Sequence, residues 1–201
     1  GNTNVTVHAG DINRVFGGAR QADVDGHAFV HIDGEHASDY IVINYLFGGN
    51  DIAGTIGSSA EIPTELSEVG TGAGKNNIDN TWNAFVRISP IPAINYTQEE
   101  IAAASEGDDA YGKTTSDTKN KIPIYIGQLF GGGNGDYYYY NDGDTHEIYE
   151  SEQAYINHKA PITTNTTGFI LPDISKTYLE LLGGSIVYAY GGGNNATITD
   201  R

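Results

Sequence analysis

The chain has 201 residues, 27 of them glycine, and its 26 acidic residues against 10 basic ones give a formal charge of −16. That excess of acid excludes nucleic acid and anionic membrane surfaces as expected partners, because both are held through Lys and Arg. With no cysteine, a disulfide scaffold, a thiolate zinc site and a cysteine nucleophile are also excluded.

No run approaches the roughly 18 apolar residues of a membrane span, so membrane insertion is not expected. No basic-then-apolar leader opens the chain. It starts at Gly1 and contains no methionine, which reads as a processed or excised piece of a longer product.

In chain order, the first predicted strand carries Val5 and Val7 on one side and Thr6 on the other. Ala9-Gly10 follows as a corner, then Ile12–Arg20 (INRVFGGAR). The box Ala28–Ile32 (AFVHI) is a second strand, with Ala28, Val30 and Ile32 inward and His31 outward, and Asp33-Gly34 makes the next corner. Ile43–Asp51 (INYLFGGND) repeats the aromatic-glycine pattern. After a break at about residues 57–82, the box returns as Ala84–Ile88 (AFVRI), with Arg87 in the outward position.

A second break, about 89–121, leaves the sheet at Pro90 and Pro92. It contains the one short helix expected. Thr97 is its N-cap, Glu100 the reciprocal capping-box partner, and Gly107 ends it after two turns. Ile126–Asn134 (IGQLFGGGN) resumes the pattern, a third break runs over about 137–167, and Gly183-Gly184 precedes Ile186–Asn194 (IVYAYGGGN).

The first glycines of these runs, Gly17, Gly48, Gly131 and Gly191, are spaced by 31, 83 and 60 residues, as a unit near 30 residues with insertions would be. The first and last units align without a gap at an offset of 174. Val5, Val7, Gly10, Ile12, Phe16 and Gly17 fall on Leu179, Leu181, Gly184, Ile186, Tyr190 and Gly191. Repeated strand, corner, strand, glycine run and strand predicts an all-β fold. It is a parallel β-helix or β-solenoid of about four diverged coils, one domain over residues 1–201, with loop insertions on its side.

In this reading each aromatic stacks on its equivalent in the next coil, and the glycines turn the backbone close to its neighbour. Arg20, Asn50, Asn134 and Asn194 then cap the corner or form an Asn ladder. Phosphate cradling does not fit, since no GxxxxGK pattern or helix follows the glycines.

The third insertion offers the candidate site. It opens with Asp136 and Tyr137, Tyr138, Tyr139 and Tyr140, and continues through Asp142 and Asp144 to Glu147. Three readings stand side by side. The four carboxylates are hard oxygen donors of the kind that hold calcium, although GGGNGDY departs from the GGxGxD calcium repeat and NDGD lacks EF-hand spacing. The tyrosines are candidates for contact with sugar rings or a partner. The structural alternative is a tyrosine hairpin packed on the scaffold.

His27, aligned with Asn83, and His31, aligned with Arg87, read as solvent positions on the outward strand face rather than metal ligands. No nucleophile elbow, zincin helix or serine triad is present, and no spacing selects a carboxylate pair for glycoside chemistry. Neither a catalytic residue nor a cofactor other than calcium is expected.

The first 26 residues, NTNVTVHAGDINRVFGGARQADVDG after Gly1, resemble the glycine-rich VFGGGN repeats of large exported proteins of gut Bacteroides-type bacteria. The match is close over residues 2–26 and 179–200, partial around Ile41–Gly57 and Ile122–Asp136, and absent from the insertions. The resemblance implies export, an extracellular or cell-surface location and a β-solenoid scaffold. It brings no catalytic residues.

Gly1 aligns with Gly26, and Ala196–Arg201 stops at the equivalent of the junction before His27. The expectation is therefore an uncapped module whose last coil stacks on the first coil of another copy, against the alternative of a boundary placed arbitrarily between repeats. The functional expectation is a non-enzymatic structural or adhesive module, self-associating end to end and presenting loops to a glycan or host surface. A carbohydrate-active β-helix enzyme and a phage fibre module are the alternatives.

Overall fold

A computed structural model describes residues 1–57, 83–92, 94–119, 123–141, 146–157 and 171–199. The fold is all-β with parallel sheets, and the described residues include two short helices. One sheet pairs β1 (Thr3–Val7), β3 (Ala28–Ile32), β6 (Ala84–Ile88) and β11 (Thr177–Leu181) in that order. Another pairs β2 (Gly10–Phe16), β4 (Ile41–Phe47), β7 (Ile124–Phe130) and β12 (Ser185–Tyr190). A third joins β5 (Thr55–Ile56), β10 (Asp173–Ile174) and β13 (Thr197–Ile198), and parallel bridges from Gln21 to Ala53 and from Val24 to Ile56 extend it to the first passage.

The chain thus visits the three sheets in the same order repeatedly, and each passage lays one layer on the last. The register between layers is the repeat alignment itself. Val5 pairs with Val30, Val30 with Val86 and Leu179 with Val86, while Ile12, Ile43, Ile126 and Ile186 pair in succession.

Alternation along each strand turns one set of side chains into the core. Val30, Ile32, Ile41, Ile43, Leu46, Val86, Ile88, Ile126 and Leu129 are fully buried between the first two sheets. Burying such a branched aliphatic side chain contributes about 1.5–3 kcal/mol, so this column carries much of the stability. On the opposite side of the first sheet, Phe29, Phe85 and Tyr178 stack at 5.1 and 5.0 Å.

The glycine runs sit where the second sheet ends. Phe16, Phe47, Phe130 and Tyr190 stack there with ring centroids 4.9, 5.0 and 4.9 Å apart, each pair contributing roughly 0.5–1.5 kcal/mol beyond its buried area. Immediately after them the backbones touch. A Cβ on Gly17 would lie 2.2 Å from the Gly48 carbonyl oxygen, one on Gly48 2.3 Å from that of Gly131, and one on Gly131 2.6 Å from that of Gly191. Asn50 then closes the corner, accepting the Ala19 N–H at 2.7 Å and donating to the Ala22 carbonyl at 3.1 Å. Asn194 donates to the Asn134 side chain at 3.0 Å, so capping and a partial Asn ladder coexist.

Three expectations need correction. Among the described residues there are two short helices where one was expected: α1 (Gln98–Ala103) and α2 (Glu152–Asn157). The second starts where the Ser151 hydroxyl accepts the Ala154 N–H, an N-cap interaction. Helix α1 has the expected Thr97–Glu100 capping box but stops at Ala103, before Gly107, because the Ser105 N–H is taken by the Asp108 carboxylate at 2.9 Å. Finally, His27 and Asn83 are buried, not solvent positions. They precede their strands, in the corner between layers, where the His27 N–H is held by the Asn2 side chain at 2.8 Å. His31 and Arg87 are half-buried.

The glycine contacts make a paired prediction. Gly48→Ala forces a methyl into the Gly131 carbonyl and is expected to cost about 3 kcal/mol or more. At Gly191 nothing among the described residues lies within 4 Å of the added Cβ, so Gly191→Ala should change stability by less than about 0.5 kcal/mol. Urea unfolding of dilute protein measures both.

Candidate functional site

The tyrosine segment forms an antiparallel hairpin, β8 (Tyr138–Asn141) with β9 (His146–Tyr149), packed on the layered sheets. Strand alternation divides the four tyrosines. Tyr137 and Tyr139 are buried against Ile52. The Tyr137 hydroxyl donates to Asp51 Oδ1, which also accepts from Asn134 Nδ2 at 3.0 Å. The Tyr139 hydroxyl bonds the Gly135 carbonyl at 3.0 Å and the Ile52 carbonyl at 3.3 Å. Burial pushes the Tyr139 hydroxyl up to about 12, with the Asp51 and Asp136 charges adding to it. Burial and the Asp51 hydrogen bond likewise push Tyr137 up.

Tyr138 and Tyr140 are half-buried, Tyr138 with its ring 5.9 Å from that of Tyr155 on α2. Two of the four expected contact residues therefore anchor the hairpin and leave no ring face for a ligand. Of the four expected cation ligands, Asp136 is exposed, with its N–H directed at the Asn134 side chain, and Glu147 accepts the Tyr149 hydroxyl. Asp142 and Asp144 lie outside the described residues. Among the described residues, no three His, Cys, Asp or Glu side chains are grouped to hold a metal ion.

A second polar cluster, which the sequence reading did not assemble, surrounds the corner after β3. The buried Asp33 carboxylate accepts the Glu35 and His36 N–H groups at 3.2 and 3.3 Å, and His36 Nδ1 lies 2.7 Å from it. His8 and His31 stand 3.5 and 4.0 Å away, and His31 Nε2 meets the Ser89 hydroxyl at 2.7 Å. Because Ser89 and Asp33 approach the same imidazole nitrogen, this is not the relay in which a serine and a carboxylate use opposite nitrogens. Its role is to lock a tight turn. Burial raises the Asp33 carboxyl, but the His36 hydrogen bond and the neighbouring His31 outweigh it and hold the group below its ordinary value. Burial lowers His31, with Asp33 opposing and Arg87 assisting.

The third feature is the face of the last layer. Leu181, Leu182, Val187, Tyr188 and Tyr190 are exposed there. Strand β12 is the edge of its sheet, and among the described residues no strand pairs with its far side. In each preceding layer that side pairs with the next layer. No family model, no curated protein and no solved structure matches this chain.

The Asp33 corner fixes a pH dependence. A histidine held below 6.5 when folded takes up its proton more readily in the unfolded chain. Its contribution is therefore complete above pH 6.5 and is lost as pH falls through the folded value. Asp33 has the same sign, its contribution being lost below its ordinary value of 3.8. Unfolding free energy should fall from pH 7.5 to pH 5, and His31→Asn should flatten that slope. Urea unfolding across the pH series reads both.

Proposed function

We propose that the chain is a non-enzymatic structural or adhesive module of a secreted or cell-surface repeat protein. In this reading the three sheets are the faces of one β-solenoid, and the last coil of one copy stacks on the first coil of another. The likeness of the first unit to exported VFGGGN repeats supports the location.

The observation that carries the stacking is the glycine geometry. In every layer but the last, the Cβ direction of the run's first glycine meets the carbonyl oxygen of the following layer's glycine. At Gly191 the same direction meets nothing within 4 Å among the described residues. The Gly17 backbone of a second copy has the matching form, and its Phe16 would meet the exposed Tyr190 ring as Phe47 meets Phe130. Such a head-to-tail contact does not close into a ring, so it propagates as a fibre.

This separates assembly from folding in a single variant. Wild-type protein at high concentration should sediment as a concentration-dependent series of oligomers and show rods in negative stain. Gly191→Ala, which leaves the monomer's interior untouched, should remain monomeric, because its methyl would meet the incoming carbonyl. Monomers alone for the wild type, or unchanged rods for the variant, would contradict the proposal.

A further inference from the structure

The outer face of the β2–β4–β7–β12 sheet carries a notch that runs across the layers and shares Val187 and Tyr188 with the face of the last one. Between the register pairs Ile12–Ile43 and Arg14–Tyr45, and their continuations into β7 and β12, runs a row formed by Asn13, Asn44, Gly127 and Val187. The Asn44 amide donates to Asn13 Oδ1 at 3.1 Å. This bond orients both amides, and each keeps donor and acceptor capacity for solvent.

At Gly127 the row loses its side chain. A Cβ there would stand 2.7 Å from the Asn44 carbonyl oxygen, so the gap is built in by the approach of the neighbouring strand. The gap opens into a depression of about 450 Å³ with Tyr45, Tyr125, Tyr188 and Gln128 on its walls. Tyr125 is 43% exposed and Tyr188 56%, so their rings are offered to solvent, in contrast to the anchored Tyr137 and Tyr139.

Charge narrows the occupant. The chain carries −16, which disfavours polyanions, yet among the described residues no carboxylate lines the depression to attract a cation. The nearby Arg14 is placed over the Tyr45 ring, 5.9 Å from its centroid, an arrangement that occupies its charge. What remains is a concave site of aromatic faces with a few convergent amides. That set suits a ring with apolar C–H faces and equatorial hydroxyls: aromatics take the faces, and amides pair with adjacent hydroxyls as donor and acceptor at once.

We propose that this notch binds a neutral glycan, with one pyranose ring seated over Gly127 between Tyr125 and Tyr188 and its hydroxyls on the Asn44 and Gln128 amides. The inference extends the adhesive reading above by naming what the module's side face holds, and it does not require end-to-end stacking.

Affinity electrophoresis of the full chain through gels containing mannan, xylan, mixed-linkage glucan or polygalacturonate tests it. Retardation is expected in at least one of the three neutral polymers. Tyr125→Ala and Asn44→Ala, both at exposed positions and checked for unchanged circular dichroism, should each weaken that binding at least tenfold. Tyr40→Ala, at an exposed tyrosine elsewhere, should not. Gly191→Ala should keep its retardation, so loss of stacking and loss of glycan binding are read separately. Absence of retardation in all three neutral polymers, retardation by polygalacturonate alone, or binding unchanged in both notch variants would overturn the proposal.

Discussion

Everything else in this molecule depends on how closely one glycine backbone approaches the next. Parallel strands lie about 4.8 Å apart, and at the end of the second sheet the chain must also turn. Gly17, Gly48 and Gly131 each leave room for a carbonyl oxygen 2.2–2.6 Å from where a Cβ would stand. Once those backbones meet, the residues on either side have no freedom of register. The preceding aromatics stack, the following Asn50 and Asn134 reach the backbone and side chains of neighbouring layers, and Ile43 falls on Ile126 inside the core. A slip of one residue would turn each inward aliphatic to the opposite side of its sheet, so the corner and the core enforce the same alignment.

That constraint also organises the surface. Rows of equivalent residues run from layer to layer, so chemistry on this fold comes in rows rather than in isolated residues. One row ends on the exposed face of the last layer, the face for which stacking is proposed. Another is interrupted at Gly127 and becomes a notch. The insertion that holds the tyrosine hairpin is tied to the same framework, since Tyr137 reaches Asp51, directly beyond the second glycine run. Function proposed for the ends and function proposed for the side therefore share one cause.

The parallel pairing was legible in the sequence because the repeat carries it: matching Val5 to Leu179 and Phe16 to Tyr190 required only alignment of glycine runs, and intermediate layers pair in the same phase. Capping of α1 was legible too, because Thr97 and Glu100 act over three residues. Less local features were not. His27 looked like a surface residue because alternation was extended one position too far, into a corner that Asn2 and the next layer enclose. The four tyrosines could not be divided into anchors and half-buried rings without knowing which side of the hairpin meets Ile52. The Asp33 cluster gathers His8, His31 and His36 from a corner and a strand that alignment treats separately. Gly127 was one glycine among 27 until its neighbours Asn44 and Val187 were in register beside it.

Because the chain has no cysteine of its own, engineered pairs report layer register directly. Asn13 and Asn44 sit side by side on adjacent parallel strands, at the separation a disulfide spans. The double variant Asn13→Cys, Asn44→Cys should oxidise quantitatively to an intramolecular disulfide in folded protein, whereas Asn13→Cys with Val42→Cys, two residues out of register, should not. Preferential cross-linking of the offset pair, or equal cross-linking of both, would contradict an in-register stack held by its glycine corners.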